Sequence, residues 1–558
     1  MTHTASSSSQ PGYLNPSFPV SVRVEDLLAR MTLDEKIGQM TQVEKYSIDL
    51  DTITRLGIGS ILSGGGGNPP ENSPANWLDM VNGYLDAARR SRLGIPLLYG
   101  VDAVHGHSNV RGATIFPHNI GLGATRDADL VRRIGRATAV ETYATGVRWN
   151  FAPCIAVPQD FRWGRVFEGF GEEAALVSRL GKAYVQSLQG EELAAPFSVL
   201  ATAKHYAGDG GTTWGTSDML FPAMPRIGLD EPTPFIIDQG DTRLDEAIFR
   251  AVHLAPYVDA VKAGAQTVMA SFSRWNGEKL HAHRYLLTEV LKGELGFSGF
   301  VVTDWRGIYE VSDDTYQATV ACINAGIDMS MVPFDYQRFI SEMQQAVENC
   351  DIPMTRVDDA VRRILTVKMN AGLFDSPPVD GQYLHLMGCP EHRALAREAA
   401  AKSVVLLKNE DQTLPLSKNT PRFLVAGQWA DDIGYQCGGW SIEWLGASGA
   451  ITPGTSILEA IRATVSAETV IEFDPEGAFA GHDNDEDLAE VGLLFLGELP
   501  YAEGFGDRAD LALDEDDIAL LERMRGHCQK LIVILVLSLI HISEPTRLDA
   551  RSRMPSSA

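Results

Sequence analysis

The chain has 558 residues, of which 44% are apolar and 22% charged, so it is long enough for two to four folded domains and is not mainly disordered. Its formal net charge of −26 repels phosphate backbones, and no local basic patch offsets it, so we expect no nucleic-acid partner. The six cysteines form no CxxC pair, which favours isolated reduced thiols and predicts no metal site.

The first 20 residues are polar, and we expect them to form a disordered lead that lacks the apolar core of a secretory signal. The longest apolar run, residues 531–537, continues for a few residues more. Its total length is about half of the ~20 residues needed to span a bilayer. The sequence as written therefore predicts no membrane association and a cytoplasmic location.

From residue 21 to residue 375, short apolar runs alternate with amphipathic helical stretches. Buried parallel strands have this pattern, and seven or eight such units predict a (β/α)₈ barrel. A doubly wound sheet would also place polar residues at its strand ends, so periodicity alone does not separate the two folds. The runs are IGSIL (58–62), IPLLYGV (95–101), WNFAP (149–153), VLATAK (199–204), TVMAS (267–271), GFVVTD (299–304) and GIDMSM (326–331).

A linker rich in Pro and Gly, residues 376–391, precedes a second alternating series over residues 392–538. This series predicts a smaller α/β domain with four or five strands. Residues 539–558 follow no period, and we expect them to be a non-native tail that leaves the second domain partial. The runs of the series are SVVLLKN (403–409), RFLVAG (422–427), TVIEF (469–473), VGLLFLGE (491–498) and KLIVILVLS (530–538).

Polar side chains recur where the apolar runs end, namely Asp102, Lys204, His205 and Asp304. In a (β/α)₈ barrel these strand ends form the catalytic face. Asp304 is either a functional carboxylate or a cap of the next helix, since a buried acid needs solvent or a partner. The Lys204–His205 pair can donate hydrogen bonds to neutral hydroxyls, or consist of an ordinary exposed Lys and a core His.

Aromatic and glycine-rich segments supply further candidates. RWGRVFEGFGE (162–172) is either a sugar-binding strip or a packed cation–π cluster. GGWSIEWLG (438–446) offers two tryptophans whose faces suit sugar rings if its loop is exposed. SGGGG (63–67) lacks the Lys of a phosphate-binding loop, so we interpret it as a flexible loop. LGELPYAEGFGD (496–507) presents the loop carboxylates Glu498, Glu503 and Asp507.

Together these motifs resemble glycoside hydrolase family 3, nearest its exo-acting β-glucosidases and β-glucan exohydrolases. The likeness extends from about residue 20 to about residue 538. It implies an α/β architecture with an N-terminal (β/α)₈ barrel, an (α/β)₆ sandwich that is partial here, and an active site between them. The motifs that occur in family order are VDAVHGH, NFAPCIAVPQDFRWGR, KHYAGDGGT, MASFSRWNG, GFVVTDW, GGWSIEWLG and the YAEG loop.

The resemblance implies a retaining β-glucosidase that removes glucose from the non-reducing end, with Asp304 as the nucleophile and Glu503 as the acid/base. It implies no cofactor and no metal, and it leaves linkage preference and oligomeric state open. It also assigns substrate-binding residues, four of which would hold hydroxyls in the −1 subsite and two of which would flank the +1 sugar. The four residues of the −1 subsite are Asp102, Arg165, Lys204 and His205. The two that flank the +1 sugar are Trp305 and Trp444, and Met269 is a further contact with substrate.

The expected electrostatics agree with Asp304 as the nucleophile and Glu503 as the acid/base. Arg165 and Lys204 are expected to keep Asp304 ionised, whereas a less cationic loop lets Glu503 hold its proton. Phe272 departs from the family pattern, since plant relatives often have Tyr there, so a hydrogen bond near Asp304 is expected to be absent.

Two other functions stay open at this point. One is a β-N-acetylhexosaminidase of the same family, although the AGDGG segment lacks the Asp/His acid/base that those relatives typically carry after KHFPG. The other is a catalytically weak carbohydrate-binding protein, as a partial second domain would produce. Activity on an aryl β-glucoside separates the second alternative from a glucosidase.

Overall fold

A computed structural model describes residues 11–224, 229–480 and 488–537, and its first sheet contains eight parallel strands. We number them β1 to β8 in chain order. Their order in the sheet is β7-β6-β5-β4-β3-β2-β1-β8. The strands are β1 (Thr41–Glu44), β2 (Ser60–Ser63), β3 (Leu98–Val101), β4 (Trp149–Asn150), β5 (Leu200–Tyr206), β6 (Thr267–Ala270), β7 (Phe300–Val302) and β8 (Ser330–Met331).

The sheet closes on itself. A parallel bridge joins Val302, the last residue of β7, to Met329 beside β8. Closure confirms the predicted barrel and excludes the open doubly wound sheet.

The helices of this part are Val20–Leu28, Leu33–Gln39, Leu50–Leu56, Pro74–Arg89, Asn119–Thr125, Ala128–Ala144, Ala174–Gln189, Glu246–Phe249 continuing through Arg250–Leu254 into Ala255–Lys262, Tyr285–Glu294, Thr315–Ala325, Tyr336–Glu348 and Met354–Asn370.

The barrel strands are buried at every residue, as the continuous apolar runs predict. β1 is not among the predicted runs because three of the four residues in its sequence, TQVE, are polar. Its Gln42 Nε2 donates to the Ser60 hydroxyl of β2 over 2.8 Å, so the amide N–H₂ has a partner inside the barrel, whereas Oε1 is buried without a hydrogen bond among the described residues.

Between β5 and β6 the chain forms small strands that project from the carboxyl end of the barrel. The strands Leu220–Phe221 and Thr233–Pro234 pair antiparallel as a hairpin. Asp241–Thr242 belongs to a three-stranded sheet with Arg274–Trp275 and Glu278–Lys279. These segments lie at the end of the barrel where active sites form.

Part of the predicted disordered lead is ordered. Tyr13 lies in the 3₁₀ helix Gly12–Leu14, is buried, and donates from its hydroxyl to the Leu93 carbonyl over 3.0 Å. Its own carbonyl accepts a hydrogen bond from Arg23. The prediction of disorder is therefore wrong for residues 11–20, because one aromatic side chain anchors them to the barrel, and residues 1–10 lie outside the described part of the chain.

The second sheet has four parallel strands, which we number β9 to β12, in the order β10-β9-β11-β12. Its helices include Ile433–Cys437, Ile457–Thr464 and Glu515–Arg525, which confirms a smaller α/β domain. The strands are β9 (Arg422–Ala426), β10 (Val470–Phe473), β11 (Ala489–Gly497) and β12 (Cys528–Val536).

The run SVVLLKN is not a strand. Residues 404–407 have no regular structure, and between 51% and 78% of each of these side chains is exposed. The prediction failed because an apolar run becomes a strand only where a neighbouring strand can pair with it, and no strand in the described ranges does so here.

The boundary between the two parts is occupied by ordered chain. Residues 376–391 include the 3₁₀ helix Gly381–Leu386, and the helix Pro390–Ser403 follows. That helix lies against the barrel, where Glu398 accepts two hydrogen bonds from Arg133, of 2.8 and 2.6 Å. The predicted tail, residues 539–558, lies outside the described residues. No helix in the described ranges is both long and apolar enough to cross a bilayer.

Candidate active site

Four predicted site residues meet at the carboxyl end of the barrel. Asp102 follows β3, Lys204 and His205 lie in β5, and Asp304 follows β7. The Lys204 ammonium donates to Asp102 Oδ1 over 2.8 Å, and His205 Nε2 lies 3.6 Å from Asp304 Oδ2. Burial alone would lower the pKa of Lys204, but the Asp102 carboxylate raises it above its usual value. Lys204 is therefore a fixed positive charge beside Asp102.

Arg165 connects the barrel residues to the second domain. It lies directly before the 3₁₀ helix Val166–Glu168 and is paired with Glu168 through two hydrogen bonds of 3.0 and 2.9 Å. Its Nη2 also lies 3.0 Å from His205 Nε2, and its Nη1 lies 3.8 Å from Glu503 Oε1. Glu168 was not predicted, although its spacing of three residues from Arg165 is a signal for such a pair.

The hydrogen bonds of His205 define its tautomer. Because Arg165 can only donate, His205 Nε2 accepts and Nδ1 carries the hydrogen, which it donates to Asp209 Oδ2 over 2.8 Å. Burial, with help from Arg165 and Lys204, lowers the pKa of His205 well below its usual value. His205 is therefore neutral and held in one orientation.

In the part of the chain that the structure describes, Cys154, His205 and Asp209 form the one group whose donor atoms could converge on a metal. This group does not fit a metal site. His205 Nδ1 already donates to Asp209, and burial raises the pKa of the Cys154 thiol, so neither atom is a free ligand at neutral pH.

Asp304 is held by backbone hydrogen bonds around it. Its N–H donates to His281 Nε2 over 3.1 Å, and its Oδ1 accepts from the Trp305 N–H over 2.7 Å. Its Oδ2 is buried without a hydrogen bond among the described residues. Burial raises the pKa of Asp304 to about 6, although Arg165 and Lys204 oppose this shift. The two cations therefore limit the rise in the pKa of Asp304 without holding it at its usual value, and Asp304 is still mostly ionised at neutral pH.

Glu503 comes from the second domain, in the loop after β11. It begins the 3₁₀ helix Glu503–Gly506 with a φ of 54°, in the left-handed region that few non-glycine residues adopt. Burial raises the pKa of Glu503 to about 8; Arg165 opposes this shift, and the Asp238 and Asp304 carboxylates add to it. Glu503 thus holds a proton at neutral pH because it is buried among carboxylates, and not because its loop lacks a cation.

The other two loop carboxylates lie elsewhere. Glu498 follows β11 and accepts a hydrogen bond of 3.3 Å from the Tyr501 hydroxyl. Asp507 accepts hydrogen bonds from four backbone N–H groups of the barrel part. Of the three, Glu503 has a charged contact with a predicted site residue, its Oε1 lying 3.8 Å from Arg165 Nη1.

Aromatic side chains line the entrance. The loop that contains SGGGG lies between Trp305 and Trp444, because a Cβ on Gly64 would lie 3.2 Å from Trp305 and one on Gly65 would lie 2.5 Å from Trp444. This loop is packed between the Trp305 indole and the Cβ and backbone of Trp444, which corrects its interpretation as merely flexible. Two further rings that sequence reasoning missed, Phe221 and Phe505, pack with Trp444 at centroid distances of 5.4 and 5.6 Å. Phe235 in turn packs with Phe221 and Phe505, at 5.7 and 5.3 Å.

Comparison with known proteins identifies the family. Residues 32–226 and 237–367 match the Glycosyl hydrolase family 3 N terminal domain, and residues 404–551 match the Glycosyl hydrolase family 3 C-terminal domain. The chain belongs to glycoside hydrolase family 3. The second match continues to residue 551 and so overlaps most of the segment predicted to be a non-native tail.

Relatives in this family include several described glycosidases. A lysosomal beta glucosidase of Dictyostelium discoideum is 33% identical over 92% of this chain and 65% of its own length. A periplasmic beta-glucosidase of Salmonella typhimurium is 29% identical over 92% of this chain and 67% of its own.

Solved structures of family members share the fold. An exo-1,3/1,4-beta-glucanase from a Pseudoalteromonas species has 39% identity and a TM-score of 0.84, over 92% of this chain and 64% of that one. A beta-glucosidase from Listeria innocua, in complex with glucose, has 25% identity and a TM-score of 0.77, over 92% and 69%. This chain therefore spans about two thirds of the length of the relatives named here.

The remaining family motifs pack inside the protein. Met269 is buried in β6 within the barrel core, so its contact with substrate stays a prediction. Trp163 and Trp440 are buried, and their indole N–H groups donate to Asp238 and Glu168. Of the two tryptophans in GGWSIEWLG, Trp444 is thus the one that is partly exposed.

Proposed function

We propose that this protein is a retaining, exo-acting β-glucosidase that releases glucose from the non-reducing end of β-glucosides. The observation that carries the proposal is the contact series Asp304–His205–Arg165–Glu503, with neighbouring atoms 3.6, 3.0 and 3.8 Å apart. It brings a carboxylate from the barrel and a carboxylic acid from the second domain to one polar site, and glycoside hydrolysis uses such a pair.

The first step forms a covalent intermediate. Asp304 Oδ2 attacks the anomeric carbon, the bond from that carbon to the leaving oxygen breaks, and Glu503 transfers its proton to that oxygen. With a pKa of about 6 for Asp304 and about 8 for Glu503, both groups have the required protonation state at neutral pH.

The second step returns the enzyme to its starting state. Glu503, now a carboxylate, takes a proton from water, the water oxygen bonds to the anomeric carbon, and the bond from that carbon to Asp304 breaks. Glucose leaves with its original anomeric configuration, Asp304 is again ionised, and Glu503 is again protonated.

Polar and aromatic side chains divide the site into two parts. Asp102, Lys204, Arg165 and His205 present charged and neutral hydrogen-bonding groups to the hydroxyls of the glucose that is released. Trp305 and Trp444 are partly exposed on either side of the packed Gly64–Gly65 loop, so they can contact the leaving sugar. The relatives that support a glucoside as substrate include a Listeria innocua beta-glucosidase variant in complex with laminaribiose.

The full chain is tested on nitrophenyl β-glucoside, on the matching N-acetylglucosaminide and on β-1,2-, β-1,3-, β-1,4- and β-1,6-linked glucose disaccharides. We expect glucose release, with the β-anomer formed first by proton NMR and no activity in Asp304→Asn. Preference for the N-acetylglucosaminide would favour a hexosaminidase instead. Binding without turnover would indicate a carbohydrate-binding protein, and release of the α-anomer first would refute retention.

A further inference from the structure

Asp507 makes a dense set of hydrogen bonds across the domain interface. Its Oδ2 accepts from three consecutive backbone N–H groups, those of Ile236, Ile237 and Asp238, at 2.9, 3.0 and 3.0 Å. Its Oδ1 accepts from the Gly164 N–H at 2.9 Å. Four N–H donors nearly fill the accepting capacity of one carboxylate, so the side chain is fixed in position and orientation.

The four donors belong to segments that surround Glu503. Gly164 directly precedes Arg165, whose guanidinium lies 3.8 Å from Glu503. Asp238 contributes a carboxylate that raises the pKa of Glu503. Asp507 itself ends the 3₁₀ turn that Glu503 begins, so one carboxylate joins the turn of the acid/base to both of its charged neighbours.

The turn needs such an anchor. Glu503 has a φ of 54°, which costs a non-glycine residue free energy unless the surroundings enforce it. The backbone at Gly164 approaches the Glu503 carbonyl so closely that a Cβ there would clash with it. A second contact, from the Arg508 N–H to the Arg162 carbonyl at 3.0 Å, follows directly after Asp507.

We infer that Asp507 is a positioning residue that holds Glu503 against Arg165 and Asp238 for proton transfer. This inference rests on the proposed function, in which Glu503 is the acid/base. Proton transfer requires a heavy-atom separation of about 2.6–3.2 Å from the leaving oxygen, and a displacement of about 1 Å can cost about 10²-fold in rate. Released from its four donors, the turn would let Glu503 move by that amount.

The principal test compares two leaving groups in Asp507→Asn. An amide keeps one oxygen but directs an N–H₂ group at backbone donors, so it loses part of the anchor. We expect kcat/KM for cellobiose to fall about 10²-fold, and kcat/KM for dinitrophenyl β-glucoside to stay within about threefold, because only cellobiose needs protonation. Since the second substrate reports the fraction of folded active sites, a loss of fold would be recognised. Asp510→Asn, an exposed carboxylate in the same loop, is the matched control and should change neither value.

A double-mutant cycle with Glu503→Gln tests whether Asp507 acts through Glu503. If it does, Asp507→Asn should cost less than about threefold on cellobiose once Glu503 is already replaced. Losses that multiply, equal losses on both substrates in a variant with the wild-type melting temperature, or no loss at all would overturn the inference. If Asp507→Asn does not fold, Asp507→Glu, which keeps the charge but displaces the turn, carries the same comparisons. A wild-type chain inactive on every β-glucoside would refute the proposed function, whereas an active wild type with an unaffected Asp507→Asn would refute this inference alone.

Discussion

The pH dependence of turnover should assign one titrating group to Asp304 and another to Glu503. Burial raises the pKa of Asp304 to about 6 and that of Glu503 to about 8. Turnover needs Asp304 without its proton, so activity is lost as the pH falls below 6, and it needs Glu503 with its proton, so activity is lost as the pH rises above 8. About four fifths of the molecules have both states correct at pH 7, against about a tenth at pH 5 or pH 9.

Glu503→Gln is the perturbation that separates the two limbs. Glutamine is uncharged, as Glu503 is while Asp304 titrates, so the acid limb should stay within about half a unit of its wild-type position. The basic limb, which reports the loss of the Glu503 proton, should disappear. The assay is kcat/KM for cellobiose and for dinitrophenyl β-glucoside in both proteins, from pH 4.5 to pH 9.5. Cellobiose hydrolysis needs the acid and so reports the basic limb, whereas the dinitrophenyl substrate reports the acid limb alone.

Two results would refute this assignment. A basic limb that persists in Glu503→Gln would belong to another buried carboxyl, and Asp209 and Asp238 are the first to consider because burial raises the pKa of each to about 7. An acid limb that moves by more than a unit would mean that Glu503 carries charge while Asp304 titrates. Glu498→Gln, which changes a carboxyl near the same loop, is the matched control and should leave both limbs in place.

Four further substitutions test the rest of the site. Asp304→Asn should lower kcat on an aryl glucoside by about 10⁴-fold with an unchanged melting temperature, and retention of a few per cent would contradict its assignment. Trp444→Ala should raise KM for cellobiose about tenfold, and Phe221→Ala, which removes a ring 5.4 Å away, about threefold; equal KM values in all three proteins would show that the indole does not contact the leaving sugar. Lys204→Met should destabilise the fold by about 3 kcal/mol in urea unfolding, because it strands Asp102 in a mostly buried site, and a stability equal to wild type would show that water replaces the ammonium.

The barrel could largely be predicted from apolar runs, because its strands are buried on both faces. β1 escaped this signal, since its polar Gln42 is buried and donates to Ser60 rather than facing solvent. The opposite error occurred at residues 404–407, where an apolar run lies exposed because no described strand pairs with it. The local hydropathy pattern indicates which side chains a segment could bury, whereas the packing of the whole chain decides whether they are buried.

Residues of the candidate site could be predicted where a polar side chain lies at the end of a buried strand. Asp304 and Lys204 have that signal, and the family resemblance added Glu503. Phe221 and Asp507 escaped assignment because they lie in a two-residue strand and at the end of a loop turn, where the contact that matters comes from a residue far away in the chain. Asp507, for example, accepts hydrogen bonds from three N–H groups that lie 269 to 271 residues away in the sequence.

The order of the two pKa values follows from how charge is distributed across the domain interface. Arg165 opposes the rise at both Asp304 and Glu503, so it does not by itself separate them. Lys204 and the Trp305 N–H stabilise ionised Asp304 on the barrel side, whereas Glu503 faces the carboxylates of Asp238 and Asp304.

This asymmetry exists only while the domains are in contact. If the loop that carries Glu503 withdrew, water would solvate its carboxylate and the carboxylates that repel it would be farther away, so its pKa would return toward the usual value. Glu503 would then have lost its proton at neutral pH and could not protonate a leaving group. In the proposed mechanism, the hydrogen bonds that Asp507 accepts from the barrel backbone therefore maintain the protonation state of Glu503 as well as its position.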